Sequence, residues 1–300
     1  MTPDEQNDIG LKYFGGQGVA KDYLEAMRWF RLAADAGNAV ARFNLGHMYR
    51  HGHGVPQDYV EAAKWFRLAA EQGLAEAMVG LGVRHQKGEG VPQDYAEAVK
   101  WFRLAADKGD AYAQNNLGEM YKDGQGVPKD LSEALRLFRL AAAGGVAEAH
   151  YFLGLLHEIG EGVPQDLSEA LKWYRLAADK GNANAMLNLG VMHFNGTGLG
   201  EDHSEAAKWY RSAADKGDAR ARFYLGTMYE QGDGVRQDHS EALKWYRLSA
   251  DQGNAQAQFS LGWMHERGYG VPQSHSEAIK LWRLAADQGH QEAKRAVASC

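Results

Sequence analysis

Cysteine is almost missing from this chain. Its single thiol, Cys300, stands at the last position, so no internal disulfide can close and no cysteine-ligated zinc site can be assembled. A reducing compartment is expected. Long apolar runs are missing as well: nothing approaches the ~20 consecutive apolar residues that a bilayer crossing requires. The opening MTPDEQNDIG has neither the positive segment nor the apolar stretch of an export signal. The expectation is a cytoplasmic chain without membrane insertion. A basic excess is also lacking, since 33 Lys and Arg stand against 39 Asp and Glu and the formal net charge is −6. That charge supplies no field for gathering nucleic acid. Alternation of period 2 never extends far enough to suggest a sheet.

What is present is repetition. A Leu-Gly pair ends at Gly46, Gly82, Gly118, Gly154, Gly190, Gly226 and Gly262, with Ile9-Gly10 as the first instance, and every step is 36 residues. Glu-Ala recurs at the same interval from Glu25 to Glu277. Recurrence of this length marks a repeat architecture. Residues 1–289 read as one array of eight units, and 290–300 as a partial ninth or capping helix.

Each unit predicts two helices. In the first, Ala41, Leu45, Met48 and Tyr49 fall at helical spacing, and Gly52 occupies the place of a left-handed C-cap. The second opens at Asp58, with Glu61 three residues on as in a capping box, and carries Ala62, Trp65, Phe66, Ala69 and Ala70 on its apolar stripe. Gly52-His53-Gly54 invites comparison with a phosphate-binding turn. Such a turn joins a strand to a helix, whereas these glycines join helix to helix in every unit. Gly46, inside a helix, costs about 1 kcal/mol against alanine. Its recurrence predicts close approach of a large ring, with the Trp series 29, 65, 101, 173, 209 and 245 as the expected partner. Units four and eight carry Leu137 and Leu281 there, so looser packing is expected in them.

The run from Ala39 to Gly73, A-x-A-x-x-x-L-G-x-x-Y-x-x-G-x-G-V-x-x-D-x-x-x-A-x-x-W-x-x-x-A-A-x-x-G in outline, resembles the Sel1-like repeat, a relative of the tetratricopeptide repeat, and the match runs through essentially the whole chain. The resemblance implies an all-α fold, a right-handed α/α superhelix whose members act mostly as adaptors and scaffolds. A cysteine-rich branch of that family staples its repeats with disulfides; this chain lacks those cysteines, and that branch's properties do not carry over.

Histidine and arginine offer sharper chemistry. His85, His157, His193 and His265 alternate with Tyr13, Tyr49, Tyr121 and Tyr229, and read as packing substitutes. His47, His51 and His53 cluster near one helix end and keep open a weak metal or ligand site. Arginine recurs from Arg31 to Arg283 at the repeat interval, which suggests a structural bond between repeats, with an anion-binding ladder as the alternative. No catalytic constellation is found, and no cofactor or metal is expected.

Function is expected where the repeat varies. On a helical projection positions 43, 44, 47 and 50 turn away from the signature side. By analogy with tetratricopeptide arrays that side lines a concave groove for a protein or peptide segment. The candidate groove residues are Phe43, His47, Arg50, Tyr151, Leu155, Leu187, Phe194, Phe223, Tyr224, Phe259 and Trp263. Phe223, Phe259 and Trp263 are expected to stand free of the core, although position 43 could instead fill gaps between neighbouring helices. The competing reading is a small-ligand-binding or hydrolytic protein with a polar pocket in the groove. The chain reads as a monomer, with self-association through an end as the alternative.

Overall fold

The computed structural model describes residues 1–300 and contains seventeen helices and no strand. In chain order they are α1 (Pro3–Gly15), α2 (Tyr23–Asp35), α3 (Ala39–His51), α4 (Tyr59–Ala70), α5 (Ala75–Lys87), α6 (Tyr95–Ala106), α7 (Ala111–Asp123), α8 (Leu131–Ala143), α9 (Ala147–Ile159), α10 (Leu167–Asp179), α11 (Ala183–Asn195), α12 (His203–Asp215), α13 (Ala219–Gln231), α14 (His239–Ala250), α15 (Ala255–Arg267), α16 (His275–Asp287) and α17 (Gln291–Ala298). The chain divides into two compact units, Met1–Ala149 and His150–Cys300, the boundary falling inside α9. Within each unit the fold is an all-α stack of helix pairs, in which a second helix packs on its own first helix and on the first helix of the next repeat.

Local chemistry sets the helix ends. Gly52 caps α3 at φ 70°, donating its amide to the Met48 carbonyl. Asp58 caps α4 by accepting from the amides of Val60 and Glu61. The capping box expected there is half formed. Glu61 turns away from the cap and pairs with Lys64, and the same acid pairs three residues on with Lys100, Lys172, Lys208, Lys244 and Lys280 in later repeats. The reciprocal box occurs in α1, between Thr2 and Glu5.

The glycine-rich turns are explained by backbone contact. Gly90 lies against the first turn of the preceding second helix, where a Cβ would sit 1.9 Å from the Tyr59 carbonyl oxygen. At Gly54, Gly90, Gly126, Gly234 and Gly270 the second glycine of Gly-x-Gly is therefore a joint between repeats, with no room for a side chain.

Gly46 does receive a ring, though not the expected one. A Cβ there would fall 2.6 Å from Cε1 of Phe66, and the rings facing Gly10, Gly82, Gly118, Gly154, Gly190, Gly226 and Gly262 are Phe30, Phe102, Phe138, Tyr174, Tyr210, Tyr246 and Trp282. Trp65 is instead packed on the core where the preceding repeat's second helix, with Ala26 and Phe30, meets the first helix of its own repeat, with Ala41, Leu45 and Met48. The expected looseness of unit four fails for the same reason, because Leu137 is not the partner of Gly118 and both Leu137 and Phe138 are buried. Burying such a ring contributes about 2–3 kcal/mol, more than the glycine costs.

The recurring arginines tie repeats together. Arg31 donates to the Tyr49 hydroxyl at 3.0 Å and lies 5.2 Å from the Trp65 ring; Arg103 donates to Tyr121 at 2.8 Å; Arg211 donates to Tyr229 and lies 5.3 Å from the Trp245 ring. Each bond joins a second helix to the first helix of the next repeat. At His193 and His265, two of the histidines that replace that tyrosine, burial holds the imidazole below its usual range against the opposing pull of Glu205 and Glu277, with Arg175 and Arg247 adding to the lowering.

Candidate functional site

The side of the first helices that varies between repeats is only partly open. In the first unit Phe43 is half-buried, 5.7 Å from the Phe66 ring and packed on the core around it. His47 meets Phe43 edge-on at 4.5 Å and Phe66 at 5.5 Å. Burial, and after it the charges of Arg50, His51 and Arg84, lowers His47 to about 4, so its ring is neutral at neutral pH. Half-buried Arg50 supplies part of that field. Leu11, Phe14, Phe30, Asn44, His47, His51 and His53 line a cavity of about 290 Å³. The three imidazoles run as a stack, His47 on His51 at 5.9 Å and His51 on His53 at 5.5 Å, with His53 continuing onto Tyr23 at 4.7 Å. Parallel rings do not converge their nitrogens on one ion, and no group of histidine, cysteine, aspartate and glutamate is placed to hold a metal.

Arg84 escaped the sequence reading. It stands where neighbouring repeats have Met48 and Met120, is 1% exposed, and gives one nitrogen to Glu89 at 2.9 Å while Nε and Nη1 have no partner.

In the second unit the candidate residues separate by burial. Leu187 is 3% exposed and belongs to the core with Leu189, Met192 and Tyr210, so it offers nothing to a partner. Tyr151 and Leu155 are half-buried, and the Tyr151 ring lies 5.9 Å from Tyr174. Phe223 is half-buried on the core of Ala242, Tyr246 and Leu261, 5.8 Å from the Tyr246 ring, and Phe259 packs on Ala278, Trp282 and Ala293. The expectation that these two rings stand clear of the core is corrected: position 43 fills space over the second-helix ring of its own repeat. Tyr224, at 39% exposure, and Trp263, at 36%, do face outward. Trp263 is held on one side by Trp282 at 5.2 Å and on the other by Arg267 at 5.1 Å. Phe194 is half-buried and stacked on His203 at 4.6 Å.

Phe194 and Tyr224 also share a cavity of about 220 Å³ with Val191, Asn195, Tyr210, Thr227, Met228 and Gln231. It lies between α11 and α13 over the second-helix ring of α12, and each of Val191, Phe194, Tyr210, Tyr224, Thr227 and Gln231 stands 180 residues after a residue lining the cavity between α1 and α3. A signal for this was present in the sequence. The residues in register with Phe14 are Arg50, Gln86, Lys122, Glu158, Phe194, Glu230 and Glu266, so aromatics occur there only in the two repeats that form these cavities.

Comparison with known proteins bears on the whole chain. The Sel1 repeat model matches residues 6–38, 39–74, 75–110, 111–146, 147–182, 183–218, 219–254 and 255–290. Among solved structures, c5321, a protective antigen present in uropathogenic Escherichia coli strains and displaying an SLR fold, is 36% identical with a TM-score of 0.78, over 99% of this chain and 64% of that one. This chain thus spans a little under two thirds of the length of c5321. A Sel1 repeat protein from Oxalobacter formigenes is 31% identical with a TM-score of 0.77, over 99% of this chain and 87% of that one. Yeast Tom70, 14% identical with a TM-score of 0.51 over 97% of this chain and 61% of its own, shares the fold alone. No curated protein matches. No helix is long and apolar enough to cross a membrane. Sel1 repeat proteins generally mediate protein–protein interaction. With eight consecutive matches covering residues 6–290, the chain belongs to the Sel1 repeat family.

Proposed function

We propose that this protein is a non-catalytic scaffold that binds a segment of another protein on the outward side of its first helices. In the second unit the binding residues are Phe194, Tyr224 and Trp263, with Phe223 and Phe259 behind them as support. In the first unit they are His47 and Arg50 above Phe43. The observation that carries the proposal is the exposure of Tyr224 and Trp263, two large aromatics on that face of α13 and α15. Exposed aromatic rings backed by a packed layer have the composition of interface anchors, each worth 2 kcal/mol or more in binding when it is one of the few dominant contacts. Arg267 over Trp263 adds a cation beside the ring, and Arg residues are enriched with aromatics at such surfaces.

The test is selection of peptides from a displayed library by the full chain, followed by affinity measurement with Tyr224→Ala and Trp263→Ala. Selected peptides should lose at least about tenfold in affinity with each variant while the helical signal is retained. Peptides that bind both variants as tightly as the parent would move the binding surface elsewhere on the molecule.

A further inference from the structure

The rings facing the glycines of α9, α11 and α13 are all tyrosines, Tyr174, Tyr210 and Tyr246, but their hydroxyls have different neighbours. Tyr174 donates to Glu158 at 2.5 Å. Tyr246 donates to Glu230 at 2.7 Å and meets the Thr227 hydroxyl at 3.1 Å. In the repeat between them the positions of Thr227 and Glu230 are held by Val191 and Phe194, and the position of Ser260, which also bonds Tyr246, is held by Tyr224. Two of the groups that satisfy the hydroxyl next door have become carbon only, and the third has become a tyrosine whose ring stacks on Tyr210. Tyr210 is 3% exposed, its ring is stacked on Tyr224 at 5.2 Å, and its hydroxyl makes no hydrogen bond within the protein. That hydroxyl is not sealed among protein atoms; Tyr210 lines a cavity, where a ligand can supply the missing partner.

The cavity in front of that hydroxyl has a defined chemistry. None of its lining residues is charged. Thr227 is already engaged, its one hydroxyl proton shared between the Phe223 carbonyl at 3.2 Å and the Tyr246 oxygen at 3.1 Å, so it turns no free donor into the space. The exposed amides of Asn195 and Gln231 stand on the lining, and Val191, Phe194, Tyr224 and Met228 form the apolar walls. At about 220 Å³ it exceeds the ~150 Å³ that holds benzene and falls short of the ~300 Å³ where sites for whole small molecules begin. Burial raises the Tyr210 phenol far above neutral pH, so the hydroxyl keeps its proton and can either donate or accept.

We propose that this cavity receives one uncharged aromatic side chain of the bound protein segment, a tyrosine or tryptophan whose polar atom pairs with the Tyr210 hydroxyl while its ring packs between Phe194 and Tyr224. The proposal rests on the partner-binding reading above and names its anchor. Carboxylates, phosphates and ammonium groups are disfavoured, because the lining offers no countercharge for a desolvated ion.

Two experiments on the full chain test it. In the first, p-cresol, 3-methylindole and toluene are titrated and binding is followed by NMR. The two polar rings should bind about fivefold tighter than toluene, the factor expected of one hydrogen bond. Tyr210→Phe should remove that advantage and leave toluene within about twofold. Phe194→Glu places the carboxylate of the neighbouring repeats beside Tyr210, so it should fold normally, satisfy the hydroxyl and weaken p-cresol about tenfold or more. Equal binding of p-cresol and toluene, or p-cresol binding untouched by Phe194→Glu, overturns the proposal. In the second, peptides selected from a library by the parent chain should share one tyrosine or tryptophan and lose affinity for Phe194→Glu. Peptides that bind that variant unchanged overturn the pocket and leave the partner-binding reading standing. Binding of p-cresol with no peptide selected at all overturns both, and assigns the cavity to a free phenol.

Discussion

Gly46→Ala separates backbone propensity from packing in a single methyl group. In an isolated helix the change would stabilise by about 1 kcal/mol. Here the new Cβ would lie 2.6 Å from Cε1 and 2.7 Å from Cδ1 of Phe66, roughly 1 Å inside the optimum for carbon contacts. The ring cannot retreat freely. Phe66 is 1% exposed, with Phe43 at 5.7 Å and His47 at 5.5 Å against it. Overpacking of this kind costs about 1–3 kcal/mol, so the net effect is a loss of up to about 2 kcal/mol. The assay is a double-mutant cycle by urea denaturation, with the slope recorded in every variant because repeat arrays can lose two-state behaviour. In a Phe66→Leu background Gly46→Ala should cost much less or become stabilising, giving a coupling of about 1–3 kcal/mol. In a Trp65→Leu background the cost should persist. A stabilising Gly46→Ala in the parent, or release of the strain by Trp65→Leu, would refute the assignment of Phe66 as the glycine's partner.

Four further outcomes are expected. Arg84→Met restores the residue type found at Met48 and Met120 and removes two unpartnered buried nitrogens, so it should stabilise by about 1–3 kcal/mol; a lowered thermal midpoint would show that the Glu89 pair outweighs them. His47 titrates near 4 in the folded chain and near 6.5 when unfolded, so the unfolded state binds more protons between these values. Stability should therefore be complete above pH 6.5, fall as pH drops toward 4, and fall less in His47→Gln, as denaturant midpoints across that range would report. Leu187→Ala should cost about 2–5 kcal/mol as a core truncation, whereas Trp263→Ala should shift the midpoint far less; comparable losses would place Trp263 in the core as well. Deleting residues 75–110, one repeat, should leave a folded chain with a smaller denaturant slope, and loss of helical structure by circular dichroism would count against stability built from neighbouring-repeat contacts.

The 36-residue interval, the helical spacing within it and the caps at Gly52 and Asp58 were legible without coordinates, because each depends on residues close in sequence. That was enough for the fold class and for the number of repeats. Adjacent apolar residues were not separable in this way. Trp65 and Phe66 both lie on one wide stripe about 100° apart, and periodicity cannot say which meets the glycine and which meets the preceding repeat. The same limit applied to position 43, whose large side chains suggested an open surface until Phe66, Tyr174 and Tyr246 were found beneath them. Whether Tyr210 keeps a hydrogen bond depends on residues 16 and 19 positions before it and 14 after it, set beside it by the packing of three helices. Tertiary structure alone decides such a matter, since burial and partnership are properties of neighbours in space.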